Sequence, residues 1–115
     1  MTEATIWHNA RCSKSRETKA ILDDIGDGYE VREYLKEAPT RDELVALMEA
    51  LGIDDPRAMM RTGEDAYGQL GLADAGPDEL LDAIVEHPIL LQRPIVVRDG
   101  RAVIGRPPEQ VRDLF

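Results

Sequence analysis

Two strand-like runs flanking one helical run constrain the fold more than any other feature. Ala4-Thr5-Ile6-Trp7-His8 is β-branched and aromatic and reads as a strand, and Tyr29–Tyr34 reads as a second. Between them, Ser13–Ile25 carries Ala20, Ile21, Leu22 and Ile25 as a helical apolar stripe, and Gly26-Asp27-Gly28 stops it. A strand, a helix and a strand joined this closely imply a parallel pair with a right-handed crossover.

The middle of the chain is helical. Thr40 and Glu43 have the spacing of a capping box, and Leu44, Leu47, Met48 and Leu51 repeat on one face until Gly52. A short helix is predicted around Pro56–Met60, with Met59 and Met60 as core filler rather than ligands. Pro77-Asp78-Glu79 opens another helix, with Leu80, Leu81, Ile84 and Val85 inward, ending at His87-Pro88. Asp99-Gly100 between Pro94–Arg98 and Arg101–Gly105 predicts a hairpin with a type I′ turn. A terminal helix, Pro108–Leu114, turns Val111 and Leu114 inward. The order is βαβ, a helical block, then ββα. The expected class is α/β: a thioredoxin-like four-stranded mixed sheet with flanking helices and an inserted helical subdomain at about 40–88, the whole chain (1–115) being one domain.

Cys12 is the sole cysteine, at the strand-to-helix junction Ile6–Arg16. Unpaired amides and the helix dipole favour an anion there, and Arg11, Lys14 and Arg16 are expected to add positive charge. These influences predict an acidic, nucleophilic thiol beside an oxyanion-binding loop. A lone cysteine is more usually a small buried apolar residue, but this loop is polar and cationic. His8, four residues earlier, is placed to polarise the thiol or to orient the loop. His87 reads as a structural residue at a helix end. Two distant histidines and one cysteine do not compose a zinc site, so no metal is expected.

Arg61, Arg93 and Arg106 each sit at an element end, and each taken alone fits a solvated surface residue. Together around one thiolate they would bind a dianion, because a guanidinium donates paired hydrogen bonds. Pro94 opens the third strand, where cis geometry is affordable.

Net charge of −9 over 115 residues disfavours nucleic acid and anionic membranes as partners. The apolar stretch Pro88–Val97 is interrupted by Gln92, Arg93 and Pro94, so no membrane span is expected. Met1–Thr5 lacks the pattern of a secretion signal. A single thiol forms no intramolecular disulfide, which fits a reducing cytoplasm.

The chain resembles the glutaredoxin-coupled arsenate reductases and the arsenate reductase-like proteins around them. The match is carried by His8–Arg16, by Tyr67-Gly68-Gln69-Leu70-Gly71-Leu72, by His87–Val97 and by Gly105-Arg106-Pro107. The family loop often has proline where this chain has Ala10. The resemblance implies a redox-active Cys12 as nucleophile, His8 tuning its pKa, and Arg61, Arg93 and Arg106 as oxyanion ligands, with Ser13 and Ser15 in the binding loop. It implies Pro94 as the cis-proline of a thioredoxin-like fold. It further implies arsenic detoxification: reduction of arsenate to arsenite by a monomer with no bound cofactor. Ser15 stands where a dithiol relative carries a resolving cysteine, so the reaction needs an outside thiol: glutathione or another low-molecular-weight thiol as co-substrate, with glutaredoxin or an equivalent as reductant. Other members of this fold are thiol oxidoreductases of other substrates, or regulators that bind RNA polymerase. The regulators are expected to carry a Cys-x-x-Cys switch, which Cys12 and Ser15 do not form.

Overall fold

A computed structural model describes residues 4–115, so the first three residues of the Met1–Thr5 segment lie outside the described residues. The chain divides into two compact units. One runs up to Glu37 and resumes at Arg93–Phe115; the other is Ala38–Gln92.

The first unit holds a sheet of β1 (Ala4–Trp7), β2 (Tyr29–Arg32), β3 (Ile95–Arg98) and β4 (Arg101–Ile104) in the order β2-β1-β3-β4. β1 pairs parallel with β2 and antiparallel with β3, which pairs antiparallel with β4. This is the thioredoxin-like arrangement expected. Asp99 and Gly100 both have positive φ, 53° and 77°, as a type I′ turn requires. Along one sheet row, Val31, Ile6, Val96 and Val103 are register partners. The inner part of that row joins Ala4, Leu22, Val111 and Leu114 in one core, with Ile21, Ile25 and Tyr29 packed against it. Val31, on edge strand β2, is 44% exposed.

Helix α1 (Ser13–Ile25) ends at Gly26, whose φ of 80° places it in the left-handed region. Its buried residues are Ser15, Thr18 and Leu22. The inward stripe therefore begins polar and becomes apolar, and Ala20, expected on it, is exposed. β2 stops at Arg32, two residues short of the prediction, because the Glu33 carbonyl accepts from the amides of Lys36 and Glu37 and forms a turn. The terminal segment Pro108–Leu114 is a 3₁₀ helix rather than an α-helix, with Val111 and Leu114 buried as expected.

In the second unit, α2 (Arg41–Leu51) starts with the predicted capping box: Thr40 accepts from the Glu43 amide while Glu43 accepts from the Thr40 amide. Met59 and Met60 are buried at the end of the 3₁₀ turn Pro56–Met59. Helix α4 (Pro77–Glu86) buries Leu80, Leu81, Ala83 and Ile84. Arg41 ties α2 to α4, bonding Asp78 at 2.5 Å and Asp82 at 2.7 Å. Periodicity gave no sign of α3 (Asp65–Gln69) or of the 3₁₀ turn Leu72–Asp74, since neither is long enough to show an apolar stripe. Arg57 accounts for this region. It donates to the Tyr67 hydroxyl and to the carbonyls of Leu72, Ala73 and Ala75, holding the segment by its backbone. An isolated antiparallel bridge joins Met60, inside the block expected to be helical, to Leu91, three residues past its expected end at about 88.

Candidate active site

The junction between β1 and α1 is a network of short-range bonds. The Asn9 carbonyl accepts from the Cys12 amide at 3.0 Å, making a turn of Asn9–Cys12. The Asn9 side chain accepts from the Arg11 amide at 3.0 Å, an arrangement asparagine favours at the first position of a turn. Ser15, fully buried, reaches back. Its hydroxyl lies 2.6 Å from His8 Nδ1 and accepts from the Asn9 amide at 3.0 Å. The His8 amide is itself bonded to the Arg32 carbonyl on β2.

Cys12 is the N-cap of α1, with extended backbone and only 9% of its surface exposed. It makes no capping hydrogen bond of ordinary geometry, yet the amides of the first helical turn face its sulfur. Burial alone pushes the thiol up. The Ser15 amide, the Arg93 charge, the Lys14 amide and the Arg106 charge outweigh it, so the net shift is downward and the thiolate forms more readily than at an ordinary cysteine.

Of the cations expected near Cys12, two distant arginines rather than Lys14 or Arg16 lower its pKa. Within the loop, Lys14 pairs with Glu17 at 3.5 Å, and Arg16 bends back to donate to the Ala10 carbonyl at 2.9 Å. The guanidinium groups acting on the sulfur come from the far end of the sequence. Arg106 donates from Nη2 to Cys12 Sγ at 3.6 Å and from Nε to the Arg93 carbonyl at 2.9 Å. Arg93 has Nε and Nη1 buried, and neither finds an acceptor among the described residues. Both arginines precede cis peptide bonds, Arg93-Pro94 and Arg106-Pro107. The cis form at Pro94 was expected; the one at Pro107 was not.

Gly105 makes this region close. A Cβ there would lie 2.7 Å from Thr18 Oγ1 and 2.8 Å from Pro94 Cγ, so only glycine lets β4 approach both α1 and Pro94. Thr18 was not singled out from sequence, and Gly105 entered only as part of the matched stretch Gly105-Arg106-Pro107, without its steric role. The signal available was a polar residue on the inward stripe of α1 and a glycine next to Arg106.

His8 is held below its ordinary pKa, first by burial, then by the charges of Lys19 and Arg16, with Glu33 opposing. It is therefore a neutral imidazole near pH 7, and its Nδ1 is engaged with Ser15. Ser13 is exposed on the first turn of α1. Arg61 belongs to the second unit. Its amide donates to the Leu90 carbonyl at 2.7 Å, and its Nη1 pairs with Glu64 at 2.8 Å. Thus Cys12, Arg93 and Arg106 come together in the first unit, with His8 and Ser15 bonded to each other behind the loop. His87, in the second unit, caps α4 through its backbone amide. Among the described residues no His, Cys, Asp or Glu cluster is suited to a metal ion, and no helix is long and apolar enough to cross a membrane.

A near-buried thiol with a lowered pKa, touched by Arg106, under the charge of Arg93 and facing helix N-terminal amides, can bind a tetrahedral oxyanion and, as thiolate, attack its central atom. The comparisons with known proteins agree with this chemistry. The ArsC family model matches residues 7–114. An arsenate reductase of Neisseria meningitidis is 44% identical over 117 residues, spanning 100% of both chains. YfgD of Escherichia coli, a protein described only as uncharacterised, is 46% identical over 114 residues, covering 97% of this chain and 96% of its own. Among solved structures, an arsenate reductase from Vibrio cholerae superposes with a TM-score of 0.96 at 46% identity, over 99% of this chain and 98% of that one. A match over this length, joined to a cysteine whose pKa is lowered in part by Arg93 and Arg106, leads to one conclusion: the chain belongs to the ArsC family.

Proposed function

We propose that this protein is an arsenate reductase, working as one domain, with Cys12 as its nucleophile. The observation that carries the reading is Arg93: a cation with two buried, unpartnered nitrogens whose charge acts on the same sulfur that Arg106 touches. Hydrogen-bond donors without acceptors among the described residues, acting on a thiol of lowered pKa, suit an anionic electrophile. Arsenate has the charge, the tetrahedral shape and a reducible centre.

In this reading Arg93, Arg106 and the first-turn amides, including those at Ser13 and Ser15, hold arsenate, with Arg61 as a third cationic ligand. The Cys12 thiolate attacks arsenic. A sulfur–arsenic bond forms, an arsenic–oxygen bond breaks, and that oxygen leaves as water after protonation. An outside thiolate then attacks Cys12 Sγ. A disulfide forms, the sulfur–arsenic electron pair stays on arsenic, and arsenic(V) becomes arsenic(III), released as arsenite. A second outside thiol frees Cys12 by exchange. Overall, arsenate and two thiols give arsenite, one disulfide and one water. The sequence has one cysteine, so both reducing thiols come from other molecules. Glutathione is proposed as the first and glutaredoxin as the second, consistent with a monomer acting in the cytoplasm without a bound cofactor. His8 and Ser15 serve as positioning groups that shape the loop from behind.

The test is arsenite formation from arsenate with glutathione and glutaredoxin, comparing the parent with Cys12→Ser. Turnover in the parent and none in the variant is expected. No turnover in the parent, while iodoacetamide titration still reports an acidic Cys12, would overturn arsenate as substrate and leave an activated thiol acting on another electrophile. Replacing glutathione with thioredoxin and its reductase in the same assay tests the choice of reductant.

A further inference from the structure

The loop that presents Cys12 has one carbonyl held by a side chain that the proposed chemistry does not use. Within Asn9–Cys12, the Asn9 amide bonds Ser15, the Arg11 amide bonds the Asn9 side chain, and the Cys12 amide bonds the Asn9 carbonyl. Ala10, the exposed second residue of that turn, is held through its carbonyl by Arg16 Nη1 at 2.9 Å. Arg16 stands on the first turn of α1, and its own amide donates to the Cys12 carbonyl at 3.0 Å. One residue thus grips the loop on both sides of the nucleophile: by its backbone just after Cys12, and by its side chain just before.

Asp99 is the one non-glycine residue with positive φ among the described residues, so neither Ala10 nor Arg11 adopts it. The turn is therefore of the kind in which proline is favoured at the second position, here occupied by Ala10. Alanine leaves that position free to sample other conformations when untethered, and a proline ring would not. The loop's hydrogen bonds among the described residues use the amides of Asn9, Arg11 and Cys12, not that of Ala10, so a proline there breaks none of them.

We propose that Arg16 is a positioning residue of the active site: its guanidinium latches the Ala10 carbonyl and fixes the turn that aims the Cys12 sulfur, in place of the rigidity a proline at position 10 would give. This rests on Cys12 being the reactive thiol but not on arsenate as its substrate. The side chain acts by geometry. Its charge is not among those that bear on the sulfur, which come from Arg93 and Arg106.

The experiment compares Arg16→Met, Arg16→Lys, Ala10→Pro and the double variant Arg16→Met with Ala10→Pro, by the pH profile of Cys12 alkylation with iodoacetamide. Near-ultraviolet circular dichroism checks the fold of each. In Arg16→Met the alkylation rate at neutral pH falls about tenfold and the profile moves to higher pH, as expected for losing one charge-assisted hydrogen bond. In the double variant the rate recovers to within about threefold of the parent, and the proline helps more there than in the parent background. Full recovery by Arg16→Lys with none from Ala10→Pro would show that charge alone matters and would overturn the latch. An unchanged profile in Arg16→Met would overturn it as well. Should Arg16→Met fail to fold, Arg16→Lys with and without Ala10→Pro decides: a slowed variant rescued by proline supports the latch, and an unslowed one refutes it. Because alkylation needs no arsenate, failure here is distinct from failure of the arsenate reading.

Discussion

The two units of this molecule treat polarity in opposite ways. The buried polar side chains His8, Ser15 and Thr18 all belong to the unit that carries Cys12, as do the buried unpartnered nitrogens of Arg93. In the unit Ala38–Gln92 the fully buried side chains are apolar: Leu44, Met59, Leu80, Ile84, Leu90 and Leu91. Its cations are spent on visible partners, Arg41 on Asp78 and Asp82, Arg57 on Asp55 and three carbonyls, and Arg61 on Glu64. Buried polar groups carry a desolvation cost that a fold without chemistry avoids. The uneven distribution marks where function has been placed at the expense of stability.

The largest test of that contrast is Arg93→Met. Removing a donor aimed at a reacting oxyanion is expected to lower kcat/KM for arsenate by about 10²–10³-fold. The thermal midpoint should hold or rise, because two unsatisfied buried nitrogens disappear with the guanidinium. A variant that loses activity and stability together would place Arg93 among the structural residues instead. Arg61→Met is the attempt to break the contrast from the other side. The family resemblance proposes Arg61 as a third arsenate ligand; on that proposal its removal raises KM about 10–100-fold, the range for hydrogen bonds to a charged group. An unchanged KM would confine the chemistry to the unit of Cys12.

Ser15→Ala strips a partner from His8 and from the Asn9 amide at once, and is expected to cost about 1–3 kcal/mol in urea unfolding. It should also shift the alkylation profile of Cys12, which a purely structural serine would not. Stability should depend on pH through the same thiol. The folded-state pKa of Cys12 is lowered, so its contribution is fully present above the ordinary thiol value and is lost as pH falls through the lowered one. Urea midpoints measured across that window should slope for the parent and flatten for Cys12→Ser. The smallest effect is expected from Thr40→Ala, which removes the capping box of α2 at a cost of about 1 kcal/mol while leaving Cys12 alkylation unchanged.

Local rules made much of this legible in the sequence. The Thr40–Glu43 box, the Asp99-Gly100 turn, the glycine stop after α1 and the strand–helix–strand order each depend on neighbours a few residues apart. The nucleophile was readable for the same reason, since Cys12 and the helix it caps are adjacent. What escaped depends on residues distant in sequence. Arg106 was named only through the family resemblance, since its contact with a sulfur 94 positions away has no local signal, and Gly105 must be small because Thr18 and Pro94 crowd it. Arg57 holds Leu72–Ala75 by carbonyl groups, which carry no side-chain signature at all. Of the charges near Cys12 in sequence, Lys14 and Arg16 turn to Glu17 and Ala10, while the charges that lower the thiol's pKa are those of Arg93 and Arg106.

The Arg93 guanidinium makes the folded state a thermometer of its own ligand. A tetrahedral oxyanion that accepts from those nitrogens binds the native chain and not the unfolded one, and mass action then adds about 2.7 kcal/mol of stability at a hundred times the Kd. Arsenate, and phosphate with the same shape, should each raise the melting temperature with the logarithm of their concentration. Only arsenate should go on to consume thiols. Selectivity between two anions of one shape would then reside in which can be reduced, and the melting curve would rank affinity apart from chemistry.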